Sequence, residues 1–495
     1  MKKEMKKNLF MVAAVAFMAL VSCNKEEINN NVVEQPQEPS YYVEFVASIA
    51  DDADTKAFDA ELKKTYWVEG ETISINGKKF EVKEVLENGN AIFKNKEELG
   101  EGFGAPYSAV YPYSAVTSFD AVTVPSEQTA VAGNIAPEAL VAVAQSNTNT
   151  LKFKHLVTLV KFQVSTAGIN ELEFSSASAL AGTIKVKAEE GTDPTYSATT
   201  ESKTIKVKPD GASFDTNATY YVSVLPTLGA EGTKQAFEIK SEGVVVKSGN
   251  VTFKRNKVMN AKSIDVKYTY LKPNLVWGIA DARYAAYFFE GDANTWVSMN
   301  DADKDGVYRA VIPEGFTNLI YCRMNPANQT NDWDDKNKWN QSPDLKVPTT
   351  DDRAYVSGIM KWDGSGSWDT LANAKSYREN AVYLKPNSNW KKDGARFAVF
   401  LCNGKKGDTW LSMSKLDDNF YGVQLPSDFN YDNYKTIIFC RMNGGNSTNN
   451  WNNKWNQTGD LDCKTITTDP YNRCCAINGS SWDAGSNVTW TTILK

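Results

Sequence analysis

The sequence predicts an all-β protein built as a series of small domains, and three observations carry that prediction. From Tyr41 to about Val266, short runs of Val, Ile, Phe and Tyr alternate with polar residues. Gly, Asn, Asp and Pro separate the runs, and no segment sustains a helical period. Beyond Val266 one aromatic, amide-rich pattern occurs twice, the mark of a duplicated module. A chain of 495 residues also carries a length prior of about three to four domains.

The repeat is dense in matches. Arg323-Met324-Asn325, Trp333, Lys338-Trp339-Asn340-Gln341-Ser342 and Asp344-Leu345 return as Arg441-Met442-Asn443, Trp451, Lys454-Trp455-Asn456-Gln457-Thr458 and Asp460-Leu461. Upstream, Tyr270-Leu271-Lys272-Pro273-Asn274 answers Tyr383-Leu384-Lys385-Pro386-Asn387, Trp277 answers Trp390, and Trp296 with Met299 answers Trp410 with Met413. Of 13 Trp, only Trp67 precedes Pro273, so each module holds six. A small β-domain uses about one or two Trp in its core, because the ring is large and its N–H needs a partner. The surplus, set beside Asn, Gln, Asp and Lys, points to exposed aromatic faces next to hydrogen-bonding groups. A sugar ring presents the matching chemistry, an apolar C–H face and hydroxyls.

Composition bounds the alternatives. Apolar content of 42% with 23% charge is that of a folded chain. A net charge of −6 argues against nucleic acid, whose phosphates need a basic surface. It does not disfavour a neutral polysaccharide.

The N-terminus reads as a targeting segment. Lys2, Lys3, Lys6 and Lys7 precede an apolar run of about 13 residues, Leu9 to Val21, too short to span a bilayer. Leu20-Val21-Ser22-Cys23 resembles a lipobox, which implies cleavage after residue 22 and lipidation of Cys23. The acidic Asn24-Lys25-Glu26-Glu27 resembles the surface-export signal of Bacteroidetes lipoproteins. Residues 23–40, rich in Asn, Gln, Glu and Pro, form a flexible tether on this reading.

Few residues suggest metal or redox chemistry. Cys322 and Cys440 are repeat equivalents in apolar runs and read as core residues. Cys402, Cys463, Cys474 and Cys475 occur only in the second module, and a disulfide among them stays open. No Cys-x-x-Cys occurs and His155 is the single histidine, so no zinc site is expected. His155 itself reads as a hydrogen-bonded strand residue. Asp301-Ala302-Asp303-Lys304-Asp305-Gly306 imitates the start of a calcium loop, but Ile312 stands where the bidentate Glu belongs, and a polar hairpin turn between strands is the preferred reading. No cofactor is expected.

Two resemblances refine the picture. Trp67-Val68-Glu69-Gly70-Glu71, Tyr107-Ser108-Ala109-Val110-Tyr111-Pro112, Leu151-Lys152-Phe153-Lys154-His155 and Tyr220-Tyr221-Val222-Ser223-Val224-Leu225-Pro226, after Thr55-Lys56, resemble in order the fimbrillin-like lipoproteins of Bacteroidetes. That resemblance implies two transthyretin-like β-sandwiches, 41–147 and 148–267, serving as a stalk or polymerising by strand exchange. The two modules, 268–371 and 379–495, resemble starch-binding modules of carbohydrate-binding module family 26. The resemblance rests on Tyr270-Leu271-Lys272-Pro273, the strand Tyr284 to Phe289, the Trp296/Met299 pair, Leu319 to Asn325, and Gln341 with Asp344-Leu345. It implies β-sandwiches that hold α-glucan on stacked rings.

Carried over residue by residue, Trp296 and Trp410 are the expected stacking platforms, each in a polar turn, with Tyr287 and Phe400 as second rings. Gln341 and Gln457 are expected to reach hydroxyls. Trp333, Trp339, Trp451 and Trp455 line the loop, although Trp339 and Trp455 read equally as loop anchors. Arg323 and Arg441 brace a loop, and Trp277, Trp362, Trp368, Trp390, Trp482 and Trp490 fall at strand or core positions. The expectation is a non-catalytic, cell-surface, outer-membrane lipoprotein that captures starch or related α-glucans for degradation and uptake. Its expected partners are the polysaccharide, the membrane through the lipid and other outer-membrane glycan-uptake proteins. A fimbria-associated adhesin for other glycans is the alternative. An α-glucan hydrolase would need a paired-carboxylate cleft, usually on a (β/α)₈ barrel, and no βα alternation appears.

Overall fold

The structure, a computed structural model, describes residues 42–49, 67–113, 118–228, 233–468 and 472–493. Cys23, the tether and Thr55-Lys56 lie outside the described residues. The fold is nearly all β, with 46% strand and 5% helix, in a succession of packed sheets as expected.

The first domain is a sheet that closes on itself. Glu44–Ile49 pairs antiparallel with Ala91–Asn95 on one side and parallel with Thr150–His155 on the other, and seven strands complete the ring. Alternation along each strand turns Phe45, Ile73, Phe80, Phe93 and Phe153 inward. Trp67 meets Phe93, Tyr111 and Phe153 edge-on at 4.9, 5.2 and 5.3 Å, and its indole N–H donates to the Ala47 carbonyl at 3.1 Å. This region's single tryptophan is a core residue with its polar edge satisfied.

The expected division at 147/148 falls inside a hairpin of this barrel, between the paired strands Ala142–Ser146 and Thr150–His155. The chain leaves the barrel only after His155. Val122–Val124 and Glu127–Ala130 meanwhile join the sheets of the second domain, beside Gly182–Lys187 and Thr204–Pro209. Gln128 fastens the exchange, donating to the Ser223 carbonyl at 2.7 Å and accepting from its N–H at 2.9 Å.

Each C-terminal module is a sandwich of two sheets. In the first, Tyr308–Val311, Tyr268–Lys272, Arg353–Ser357 and Gly366–Thr370 face Ala293–Ser298, Arg283–Glu290, Asn318–Met324 and Lys338–Gln341. Tyr284, Phe288, Leu319 and Tyr321 point into the core, so Tyr287, Phe289, Ile320 and Cys322 lie on the outer face of the second sheet. The second module repeats this with Thr409–Ser412, Arg396–Cys402, Thr436–Met442 and Lys454–Gln457 as its outward sheet.

Trp277 and Trp390 are fully buried at matching places. Their backbone N–H groups donate to Asn274 and Asn387, and their indoles donate to the carbonyls of Trp362 at 3.1 Å and Trp482 at 2.8 Å. One aromatic thus ties two loops to the core in each copy. The modules also touch each other: Ala381, Tyr383, Phe420 and Cys474 pack into the same apolar cluster as Leu271 and Tyr355. Glu379, buried at the junction, accepts from the Leu275 N–H of one module and from the Tyr383 hydroxyl of the other at 2.6 Å. Burial raises its carboxyl above the usual range.

Cys402, Cys463, Cys474 and Cys475 are free and buried, so the question of a disulfide among them resolves to four thiols. In the Asp301–Gly306 turn, Asp301 accepts from the Asp305 and Gly306 N–H groups, and Lys375 pairs with Asp303 and Asp305. The turn is closed by its own backbone and by a lysine.

Candidate functional site

The outward sheet of each module carries a cluster of three rings. Tyr287 and Trp296 are cross-strand partners, which brings their centroids to 4.9 Å at 54°. Trp333, from the loop after Met324, meets Tyr287 at 4.8 Å and 74° and Trp296 at 4.9 Å and 60°. In the second copy Phe400, Trp410 and Trp451 repeat this, at 4.7 Å and 46°, 4.8 Å and 69°, and 5.0 Å and 70°. Such angled, edge-to-face packing suits the ring quadrupoles. It also yields a faceted surface instead of a flat one.

Two expectations change here. Trp296 and Trp410 stand on strands, Ala293–Ser298 and Thr409–Ser412, where pairing with the aromatic strand fixes them. Phe400 is 5% exposed, so it is the floor beneath Trp410 and Trp451 and not a second stacking face. Trp333 and Trp451, at 41% and 46%, are the open rings of their clusters.

A loop of asparagines holds those open rings. Arg283 donates to the carbonyls of Asn325, Asn328 and Thr330 and to the side chain of Asn331. Arg396 does the same for Asn446, Thr448 and Asn449. Asn331 and Asn449 then reach Ser298 at 3.0 Å and Ser412 at 2.9 Å, next to the platform strand. Ala282-Arg283 and Ala395-Arg396 are also repeat equivalents in the sequence, which does not show their purpose. Part of the amide surplus read as sugar-binding is instead spent on the loop's own backbone.

Lys338 and Gln341 lie three residues apart, which in a regular strand would put them on opposite faces. A β-bulge between Arg323 and Met324 brings Lys338 opposite Met324 and Gln341 opposite Cys322, so both face outward. The Lys338 ammonium donates to Gln341 Oε1 at 2.9 Å and lies 5.3 Å above the Trp333 ring. Lys454, Gln457 and Trp451 repeat the arrangement, with the ammonium 5.1 Å from the ring. The carboxamide nitrogens of Gln341 and Gln457 donate to no described residue, which leaves them for a ligand's hydroxyls.

The same bulge separates Trp339 and Trp455 from the three-ring clusters. Each packs on a buried arginine: Arg323 lies 4.5 Å from the Trp339 ring and 5.2 Å from Trp362, and Arg441 lies 4.6 Å from Trp455 and 4.9 Å from Trp482. Arg323 donates to the carbonyls of Trp277 and Ile279, and Arg441 to those of Trp390 and Lys392 and to Asp393 at 2.7 Å. Burial lowers Arg323 to about 10, still charged at neutral pH. Trp482 is 42% exposed, contrary to its expected core position, and Trp455 is 40% exposed.

No family model and no curated protein matches the chain. Among solved structures, it is similar to a cell-adhesion candidate from Bacteroides uniformis at 19% identity and TM-score 0.26, over 45% of this chain and 94% of that one. A second cell-adhesion candidate, from Bacteroides ovatus, aligns at 13% identity and TM-score 0.23, over 52% and 95%. The chain is also similar to family 41 carbohydrate-binding modules that recognise α-glucan in streptococcal virulence factors, at 16% identity and TM-score 0.12, over 40% and 92%.

Proposed function

We propose that this chain is a non-catalytic cell-surface lipoprotein that captures starch or related α-glucans on its two C-terminal modules. One observation carries the reading: each module mounts three rings at 46–74° to one another, with an open Trp at the edge and, beside it, a carboxamide whose oxygen is held by a lysine and whose nitrogen donates to no described residue. An α-1,4-glucan coils, so successive sugar faces turn relative to one another and meet angled rings better than a flat strip. This is the ligand class that the resemblance to family 26 implies.

Two carboxylates of the loop that carries Trp333 are engaged within that loop, which supports a role without bond cleavage. Asp332 accepts from the Asn337 side chain at 2.9 Å, and Asp334 accepts from the Lys336 N–H at 2.9 Å. Both brace the loop. The N-terminal half is a stalk on this reading, tethered by lipid on Cys23 and holding the modules away from the outer membrane. Titration of amylopectin, amylose and glycogen with the purified chain, alongside a reducing-end assay, tests the proposal. Binding without release of reducing ends is expected. Release of sugar, or no binding to any of the three, overturns it.

A further inference from the structure

Trp339, Trp362, Trp455 and Trp482 have no role in the three-ring clusters, yet Trp455 and Trp482 are exposed and Trp339 and Trp362 are only partly buried. Among the described residues, the tryptophans counted as exposed are Trp333, Trp451, Trp455 and Trp482. Two of the four lie on the arginine side of the bulge. An indole left about two-fifths open on a well-packed β-sandwich forgoes apolar burial of roughly 25 cal/mol per Å² of the surface it leaves in water. Here the exposed pair is held in place from beneath: Arg441 is fixed by two carbonyls, Asn456 and Asp393, and offers its guanidinium to both rings.

The two aromatic groups are joined by one polar link. Lys454 lies above Trp451 and donates to Gln457, while Trp455 sits between them in sequence and leaves the sheet at the bulge. In the first module an open groove of about 520 Å³ runs along the same edge, lined by Lys338, Trp339, Gln341, Trp362 and Ser365. Lys338 and Gln341 therefore border both the ring cluster and the groove. The first module's groove is narrowed by its neighbour, since the Trp362 indole donates to the Leu416 carbonyl at 3.1 Å. The second module's equivalent has its ring open.

We infer that each module has a second glycan platform, Trp339/Trp362 and Trp455/Trp482, so that one α-glucan strand turns over the sheet edge from the three-ring cluster across Lys and Gln onto the arginine-backed pair. This deepens the proposed function and rests on it for the ligand class. Two indole faces supply stacking, and Lys454, Gln457 and Asn456 supply polar partners for hydroxyls along the way. A short oligosaccharide fills the first cluster alone, whereas a longer one engages both.

The test uses the intact chain and oxidation of exposed indoles by N-bromosuccinimide, read peptide by peptide in the mass spectrometer. With maltoheptaose present, Trp451, Trp455 and Trp482 should all be protected. With maltotriose, protection should concentrate on Trp451. If maltoheptaose protects Trp451 and leaves Trp455 and Trp482 as reactive as in the free protein, the second platform is wrong while the α-glucan reading stands. If neither sugar protects any of the three, the α-glucan reading itself fails and the platform with it. A second measurement uses a chain whose first module is silenced by Trp296→Ala and Trp333→Ala. Adding Trp455→Ala and Trp482→Ala should lower the ratio of maltoheptaose to maltotriose affinity about tenfold. Trp455→Phe with Trp482→Phe should restore most of it, and an unchanged ratio in the Ala variant overturns the inference.

Discussion

Trp410 meets Trp451 at 5.0 Å with the ring planes 70° apart, a strand residue and a loop residue locked edge to face. Phe400 lies beneath both, so Trp451 can remain open without being loose. Trp451→Ala should therefore weaken glucan binding with little loss of fold stability. A truncated anchor ring of this kind costs about 1–2 kcal/mol, roughly tenfold in affinity. Calorimetric titration with maltoheptaose, paired with a thermal melt, separates the two effects. A variant that melts far below the parent would show that Trp451 is a packing residue.

Arg396 offers a test that touches no ligand-facing ring. Its guanidinium gathers Asn446, Thr448 and Asn449, and Asn449 in turn reaches Ser412 on the platform strand. Arg396→Leu removes those bonds together, and each is worth about 0.5–1.5 kcal/mol net. Amide hydrogen exchange should rise in the segment 443–453 and affinity should fall severalfold, while the sheet itself stays protected. Unchanged exchange there would mean that the asparagines hold the loop unaided.

The sheet class and the duplication were legible because alternation and internal repetition are local signals. The pairs Tyr287 with Trp296 and Phe400 with Trp410 were legible too, but Trp333 and Trp451 read only as loop-lining residues alongside Trp339 and Trp455, and their place against those pairs came from the fold. The bulge was not legible. It depends on how Lys338–Gln341 pairs with a strand of the same sheet, and it alone decides that Gln341 joins the rings while Trp339 leaves them for Arg323. The exchange of Val122–Val124 and Glu127–Ala130 into the second domain was hidden for the same reason, because strand pairing is non-local. Exposure of Trp482 was not legible either, because the repeat makes it equivalent to Trp362, whose indole is engaged by the Leu416 carbonyl of the second module through a contact that is non-local in sequence.

His155 should make the first domain acid-sensitive. It is 2% exposed, and burial, then the nearby Arg255, lowers it to about 4 from an ordinary value near 6.5. Arg255 donates to the His155 carbonyl at 2.9 Å and pairs with Asp193 at 2.6 Å. Between those two pH values the unfolded chain takes up the proton and the folded chain does not. Stability is therefore full above about pH 6.5 and declines as pH falls toward 4, by up to about 3 kcal/mol. His155→Gln should flatten that part of a denaturant-unfolding profile. A profile just as steep in the variant would assign the acid sensitivity to carboxylates.

Membrane attachment is tested at Cys23, outside the described residues. Cys23→Ser should release the protein from the membrane fraction, because a thioether-linked lipid has no other attachment point in the lipobox reading. Retention of the variant in membranes would remove the lipid anchor from the proposal.

The two modules should bind polymer through linkage. The helix Leu371–Ser376 and the short stretch after it join them, Tyr383 and Phe420 pack into the first module's apolar cluster, and Glu379 accepts hydrogen bonds from both modules. Their sites are consequently held at a fixed separation instead of sampling many. A few stacked rings must offset the ordering of a flexible glucan, so one site alone binds weakly. Once the first site is filled, the second encounter is intramolecular, at an effective concentration that reaches about the millimolar range for short connections. Trp296→Ala and Trp410→Ala, singly and together, should separate the contributions. Each single variant should keep one working site for maltoheptaose and lose most of the avidity for amylopectin, by about a hundredfold. The double variant should lose both. If the single variants hold amylopectin as tightly as the parent, the geometry of the junction prevents both sites from engaging one chain, and each module acts alone.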